Sequence, residues 1–332
     1  MARDPGLSKS LDWFIDGPQP MKWRDVATMV LAVVVPPAVA VWFFGVAGMA
    51  AFAASMPAHL ASREGGGLVA LLATMTTGLA GMVAIGDPVM ALLVAGCLSV
   101  MTAIASHHQL ARPAMRALLT WTLFTAPIIP DDNLPQLFVL YLAGMVWSVS
   151  VTVLLGRAGT PAALTAQSRV YSVTFGVVFG IGLVSAVWLG GQLFDDHGFW
   201  LPLTFVILSM PPYGAVFSRS LKRTLATLVG ALASVALSQL SPPTAVTVLL
   251  AVAAFPLAFR FIPRSSFIGV TLLTFTILEA LSMISDVDML AEARIETVIL
   301  ASLMTLVLGL VAAGVLAVLK PNALREITSP KQ

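Results

Sequence analysis

The chain is a succession of apolar runs, each close to the ~20 residues that a helix needs to cross a bilayer. Almost all of its charge lies in the short segments between them. The runs cover 26–44, 46–61, 66–85, 88–107, 114–130, 134–156, 169–191, 197–213, 222–239, 242–262, 265–284 and 293–318. The breaks carry turn or charge signals such as Gly86-Asp87-Pro88, Pro130-Asp131-Asp132-Asn133 and Ser241-Pro242-Pro243. Of 332 residues, 58% are hydrophobic and 10% are charged, against about 25% charged in an ordinary globular domain. Lipid accepts that much apolar surface, provided that each backbone group is hydrogen-bonded within the chain, as in a helix. The expected fold is an all-α membrane protein of about twelve transmembrane helices. Cys97 is the only cysteine, so no intrachain disulfide can form. No signal-peptide pattern is read at the start. Leu11–Ile15 reads either as a short amphipathic segment at the membrane surface or as a flexible tail.

The charges orient the spans. With the N-terminus inside, 17 of the 18 basic residues fall in cytoplasmic segments, and only Arg294 falls outside. The outer loops hold Asp87, Asp131, Asp132, Asp195, Asp196, Asp286, Asp288 and Glu292. Basic residues resist translocation, so this bias predicts a bacterial inner-membrane protein with both termini cytoplasmic.

The two halves of the chain resemble one another. Arg24 matches Arg169, Ser55-Met56-Pro57 matches Ser209-Met210-Pro211, Phe124-Thr125 matches Phe275-Thr276, and Asp131 and Asn133 match Asp286 and Asp288. The order is kept, which predicts two parallel six-span repeats related by an axis along the membrane normal. The expected organisation is a cytoplasmic tail at 1–20, a first repeat at 21–156, a cytoplasmic linker at 157–168, a second repeat at 166–318 and a cytoplasmic tail at 319–332.

The second half carries a longer pattern. His197-Gly198-Phe199-Trp200-Leu201-Pro202-Leu203-Thr204 leads to Pro211-Pro212-Tyr213-Gly214-Ala215, then to Arg219 and to Arg223-Thr224-Leu225-Ala226-Thr227-Leu228-Val229-Gly230. This resembles the fusaric-acid-resistance-like, or aromatic acid exporter, superfamily, with Ala226 where the family motif has a Gly. Arg294-Ile295-Glu296-Thr297 resembles a second family element without its following Gly. The large cytosolic domain of many relatives is not in this sequence. The resemblance implies efflux of small, often aromatic or weakly acidic, organic molecules. It also implies work beside a periplasmic membrane-fusion protein. Plant relatives include anion channels.

Several residues are candidates for that work. Matching Pro-interrupted segments in two halves point to a transporter site, which selects Ser55, Pro57, Ser209 and Pro211, with Trp200 and Thr204 from the family-like motif. An ordinary helix end at the interface would carry the same prolines. Glu279 lies inside an apolar run, where a carboxylate costs at least ~2.5–3.5 kcal/mol and normally faces a cavity or a partner. It is the candidate proton carrier, unless it is an interfacial residue. Arg294 reads as an exit-side contact for an anionic substrate, or as a partner of the acidic residues around it. Arg219, Lys222 and Arg223 form a cytoplasmic cluster that attracts anions or simply sets topology. Thr227 and Gly230 then serve close helix packing, and Gly176 and Gly180 form a GxxxG pattern of the same meaning.

His107-His108 and Asp195-Asp196-His197 fall on opposite faces, and neither has a full set of metal ligands. No Walker A, GxSxG or HExxH motif appears. The chain therefore reads as no enzyme, with no catalytic residue, metal, cofactor or nucleic-acid partner expected. The expected partners are the lipid bilayer, a small organic acid or xenobiotic, a membrane-fusion protein and a second copy of the chain. Three functions stay open: a proton-coupled efflux transporter component, a passive organic-anion channel, and a non-transporting subunit that scaffolds a membrane-fusion protein.

Overall fold

The computed structural model describes residues 13–126, 129, 133–160, 168–211, 213–283 and 285–319. Every α or β element among them is a helix: α1 Trp23–Val33, α2 Val35–Phe44, α3 Met49–Gly65, α4 Gly67–Ala84, α5 Pro88–His107, α6 Ala111–Phe124, α7 Leu134–Leu154, α8 Arg169–Leu193, α9 Trp200–Leu208, α10 Val216–Gln239, α11 Thr244–Phe261, α12 Ser266–Leu281 and α13 Val287–Leu319. Eight stretches are long and apolar enough to cross a membrane, Trp23–Gly65 being one of them. That many spanning-length apolar helices make the chain a multi-pass membrane protein.

The starts of the helices follow from local chemistry. Asp87 accepts from the backbone N–H of Val89 at 2.9 Å and of Met90 at 3.0 Å, with Pro88 at the first position of α5. Asn133 caps α7, Ser168 caps α8 and Ser265 caps α12 in the same way. Each cap takes up a donor that the first turn leaves orphaned. Asp131 and Asp132 lie outside the described residues, as do Leu11 and Pro212.

The helices differ from the runs read in the sequence at three places. The run 197–213 is not one helix. It contains a 3-10 turn at Asp195–His197, the nine-residue α9, and a break at Ser209–Pro211. Proline lacks the donor that would continue the ladder. The runs 26–44 and 46–61 are joined by a 3-10 turn at Gly45–Gly48, which Gly45 enters at φ 59°. The last helix begins at Val287 and not at 293, so Asp288 and Glu292 belong to it and not to an outer loop, and Arg294 lies two turns inside it and is buried.

The chain forms two compact units. The larger comprises 28–217 and 300–332. At its centre is α3, packed against α2, α4, α6 and α7. Its sequence MAAFAASMPAHLASREG is rich in Ala and Ser, and eleven of its residues are buried. Small side chains let helices approach closely: a Cβ on Gly144 of α7 would lie 2.6 Å from the carbonyl oxygen of Ala51. Hydroxyls knit the seam. Pro37 cannot donate to the Val33 carbonyl, and the Ser55 hydroxyl does so at 3.0 Å. Ser148 donates to the Ser55 carbonyl at 2.7 Å, and Thr152 donates to the Ser148 carbonyl at 2.7 Å. With its proton so used, Thr152 accepts from His59 Nδ1 at 2.8 Å.

The smaller unit comprises 1–27 and 218–299. Within it α11 packs on α12, and residues 13–23 run as a strap over the α11–α12 turn. The Asp16 N–H donates to the Arg264 carbonyl at 2.7 Å, and Met21 N–H donates to the Arg260 carbonyl at 2.8 Å. Asp16 accepts from Lys222 Nζ at 2.5 Å, and from the Ser266 N–H and hydroxyl at 2.6 Å each. Phe14 meets Phe267 edge-on at 5.1 Å, and Arg260 lies 4.4 Å over the Trp23 ring. Burial alone would push the Asp16 carboxyl up, but the Lys222 and Ser266 hydrogen bonds and the Lys222 charge together hold it below the ordinary carboxylate range. A depressed carboxylate stabilises the folded form above its unfolded value and loses that contribution as pH falls through its folded value. Asp16→Asn is therefore expected to loosen the strap at neutral pH, seen as faster hydrogen exchange at 13–23. In wild type the same loosening appears only in acid, below the ordinary Asp range.

Candidate functional site

The larger unit contains a cleft of about 370 Å³ lined by α8, α9 and the second part of α13. Tyr171, Phe175 and Phe179 recur every four residues on α8 and so share one helix face. Their rings form a ladder: Tyr171 on Phe175 with centroids 6.5 Å apart at 18°, then Phe175 on Phe179 at 5.4 Å and 17°. Phe205 of α9 extends it at 5.9 Å and 23°. Gly182 makes room for that last step, since any side chain there would overlap the Phe205 ring. Thr174, Ser209 and Thr305 supply hydroxyls to otherwise apolar walls, and the exposed Phe217 and Leu310 stand at the rim. A stack of near-parallel rings with few polar groups suits a flat aromatic guest, which gains area and ring-face contact together.

The smaller unit contains a polar seam. On α10, Ser220, Arg223, Thr227, Gly230 and Ser234 recur every three or four residues and share one face. Gly230 lets α12 approach, a Cβ there falling 2.5 Å from the Thr271 carbonyl oxygen. Glu279 of α12 is 5% exposed, and its Oε1 has no hydrogen-bond partner. Ser234 faces it without closing a hydrogen bond. The hydroxyls of Ser220 and Thr227 are likewise buried and unspent. Arg294 of α13 is 4% exposed and lies within electrostatic range of Arg223. Ser234 and Glu279 thus lie toward one end of the seam and Arg223 and Arg294 toward the other, about 16 Å apart along α10, with the unspent Thr227 hydroxyl between them. Such groups are costly to bury unless something hydrogen-bonds to them. The arrangement can hold an anion at the arginines and exchange a proton at the carboxyl.

The candidates read from the sequence divide between these places. Ser209 lines the cleft, and Trp200 and Thr204 are buried on α9 beside Phe205. Pro211 ends that helix region. Arg223, Thr227, Gly230, Glu279 and Arg294 lie along the seam, and Arg219 lies one turn before Arg223 on α10. Ser55 and Pro57 line neither space, since both are buried inside α3 and the Ser55 hydroxyl is spent on Val33. The aromatic ladder escaped the sequence reading. The spacing of Tyr171, Phe175 and Phe179 was its signal, masked by the GxxxG pattern of Gly176 and Gly180 on the same helix. Among the described residues no group of three His, Cys, Asp or Glu could hold a metal ion.

Residues 181–308 match the family described as fusaric acid resistance protein-like. The matched stretch contains α9, the α10 motif, Glu279 and Arg294, and it agrees with the resemblance read from the motifs. No curated protein and no solved structure matches the chain. The family supports a role in membrane transport of the efflux type.

Proposed function

We propose that this chain is an inner-membrane exporter of small planar, weakly acidic aromatic compounds, driven by protons through Glu279. The observation that carries the reading is the ladder of Tyr171, Phe175, Phe179 and Phe205 in an apolar cleft. In the proposed topology both termini are cytoplasmic. Trp23–Gly65 counts as two crossings, and the short helices α6, α9 and α12 bring the total to twelve, in two parallel halves. A periplasmic membrane-fusion protein is the proposed partner.

A passive organic-anion channel is the second reading, favoured by Arg223 and Arg294 in the seam. Efflux of preloaded aromatic acids, with and without a proton uncoupler, separates the readings. Uphill export that the uncoupler abolishes supports the exporter. Downhill flux indifferent to the uncoupler supports the channel, and no flux above empty-vector cells supports a scaffolding subunit. Phe175→Leu keeps the apolar volume and removes a ring face. Aromatic contacts contribute ~0.5–1.5 kcal/mol, so the half-saturating concentration for aromatic acids is expected to rise about 2- to 12-fold. Transport of aliphatic acids of similar size is expected to stay unchanged.

A further inference from the structure

A second concavity of the larger unit, about 640 Å³, runs between α5 and α8. Its floor is the seam where small residues bring the helices together: a Cβ on Gly176 would overlap Ala103, and one on Gly180 would touch Ser99 at 3.4 Å. Its walls are apolar and exposed, Val100 at 61% and Ile104 at 59% on one side, Val173 at 56% and Val177 at 55% on the other. One end is basic, because the antiparallel helices place His107 at the end of α5 beside Arg169 at the start of α8. Arg169 is exposed and has no ion pair among the described residues. Beside it, Ser172 is 7% exposed, lines the groove, and has a hydroxyl with no hydrogen-bond partner. The hydroxyls of Ser99 and Thr102 on α5 donate to carbonyls one turn back at 2.7 Å each, so the unspent hydroxyl of Ser172 stands apart.

The length of the groove identifies what fits it. From its basic end the groove spans eleven residues of α5, His107 to Gly96, and fifteen of α8, Arg169 to Val184, or about 16 to 22 Å at 1.5 Å per residue. Both walls fall short of the ~30 Å hydrocarbon core and end at or just past its midplane, within the reach of one extended acyl chain. The groove stops at Gly96 and Val184, although α5 continues to Pro88 and α8 to Leu193. A docked helix would use the full length of both helices, whereas one acyl chain reaches only the midplane. We propose that this groove holds a phospholipid with an anionic headgroup, one chain against Gly96, Val100 and Gly180 and the phosphate at Arg169, His107 and Ser172.

The test uses the purified full chain in detergent and counts retained lipid by native mass spectrometry in the presence of phosphatidylglycerol or phosphatidylcholine. Two variants divide the site. Arg169→Gln removes headgroup charge. Gly96→Leu fills the chain end, and a Cβ at Gly96 meets nothing within 4 Å, so the fold is expected to persist, checked by helical circular dichroism. Wild type is expected to retain phosphatidylglycerol over phosphatidylcholine, and Arg169→Gln to lower that preference about 5-fold, as one basic residue near an anionic surface does. Gly96→Leu is expected to lose both lipids. Equal retention of the two lipids by wild type, or undiminished phosphatidylglycerol in Gly96→Leu, overturns the proposal. If Gly96→Leu leaves lipid unchanged but turns a dimer into a monomer, the groove is instead a contact between copies of the chain, which equally overturns it.

Discussion

Glu279→Gln is expected to reduce export against a gradient to the level reached with an uncoupler, while exchange of labelled for unlabelled substrate across equal concentrations persists. Glutamine keeps the shape and one acceptor of the side chain but cannot take up or release a proton. The carboxyl sits on α12 with Oε1 unpartnered and Ser234 across from it, so the amide fits where the acid was. Protein yield and melting temperature are expected to hold or rise, because a neutral side chain avoids the cost of burying a charged carboxylate among apolar helices. The measurement is paired uphill efflux and counterflow at matched expression. Loss of both activities together would mean that Glu279 shapes the path rather than couples it, and unchanged uphill export would place the proton elsewhere.

The largest loss of stability is expected from Gly144→Leu. A Cβ at that position would lie 2.6 Å from the Ala51 carbonyl oxygen and 2.9 Å from its Cα. Both are backbone atoms, so no rotamer change relieves the overlap and α7 must move off α3. That movement separates Ser148 from the Ser55 carbonyl and Thr152 from His59. Overpacking of side chains alone costs ~1–3 kcal/mol, and displacing a helix that carries two buried interhelical hydrogen bonds is expected to exceed it. Heating followed by size-exclusion chromatography should show the variant aggregating well below wild type. Gly96→Leu, the same substitution facing open space, is the control and is expected to melt with wild type.

Much of the helical plan was legible because lipid makes the hydrophobic signal long and continuous, and because caps such as Asp87 and Asn133 are local. Glu279 and Arg223 were legible for a related reason: a charge inside or beside an apolar run is conspicuous. What the sequence could not supply was pairing. Apolar periodicity does not tell a lipid-facing residue from one packed on another helix, so nothing marked Arg294 of α13 as a neighbour of Arg223. The run 197–213 read as one continuous helix because the apolar residues continue past Ser209 although the helix does not. The strap was half visible. The aromatic pair Trp13-Phe14 suggested a surface segment, but its seat on Phe267, Arg264 and Lys222 lies over 200 residues away in the chain.

The solitary thiol has a practical consequence. Cys97 is exposed on α5, next to Gly96. A nitroxide or environment-sensitive dye attached to the unaltered chain therefore reports from one known point, with no competing sulfhydryls to remove first. Spin-label mobility there would follow the order of the surrounding acyl tails, and dipolar coupling between two labels would give a separation only when two copies associate.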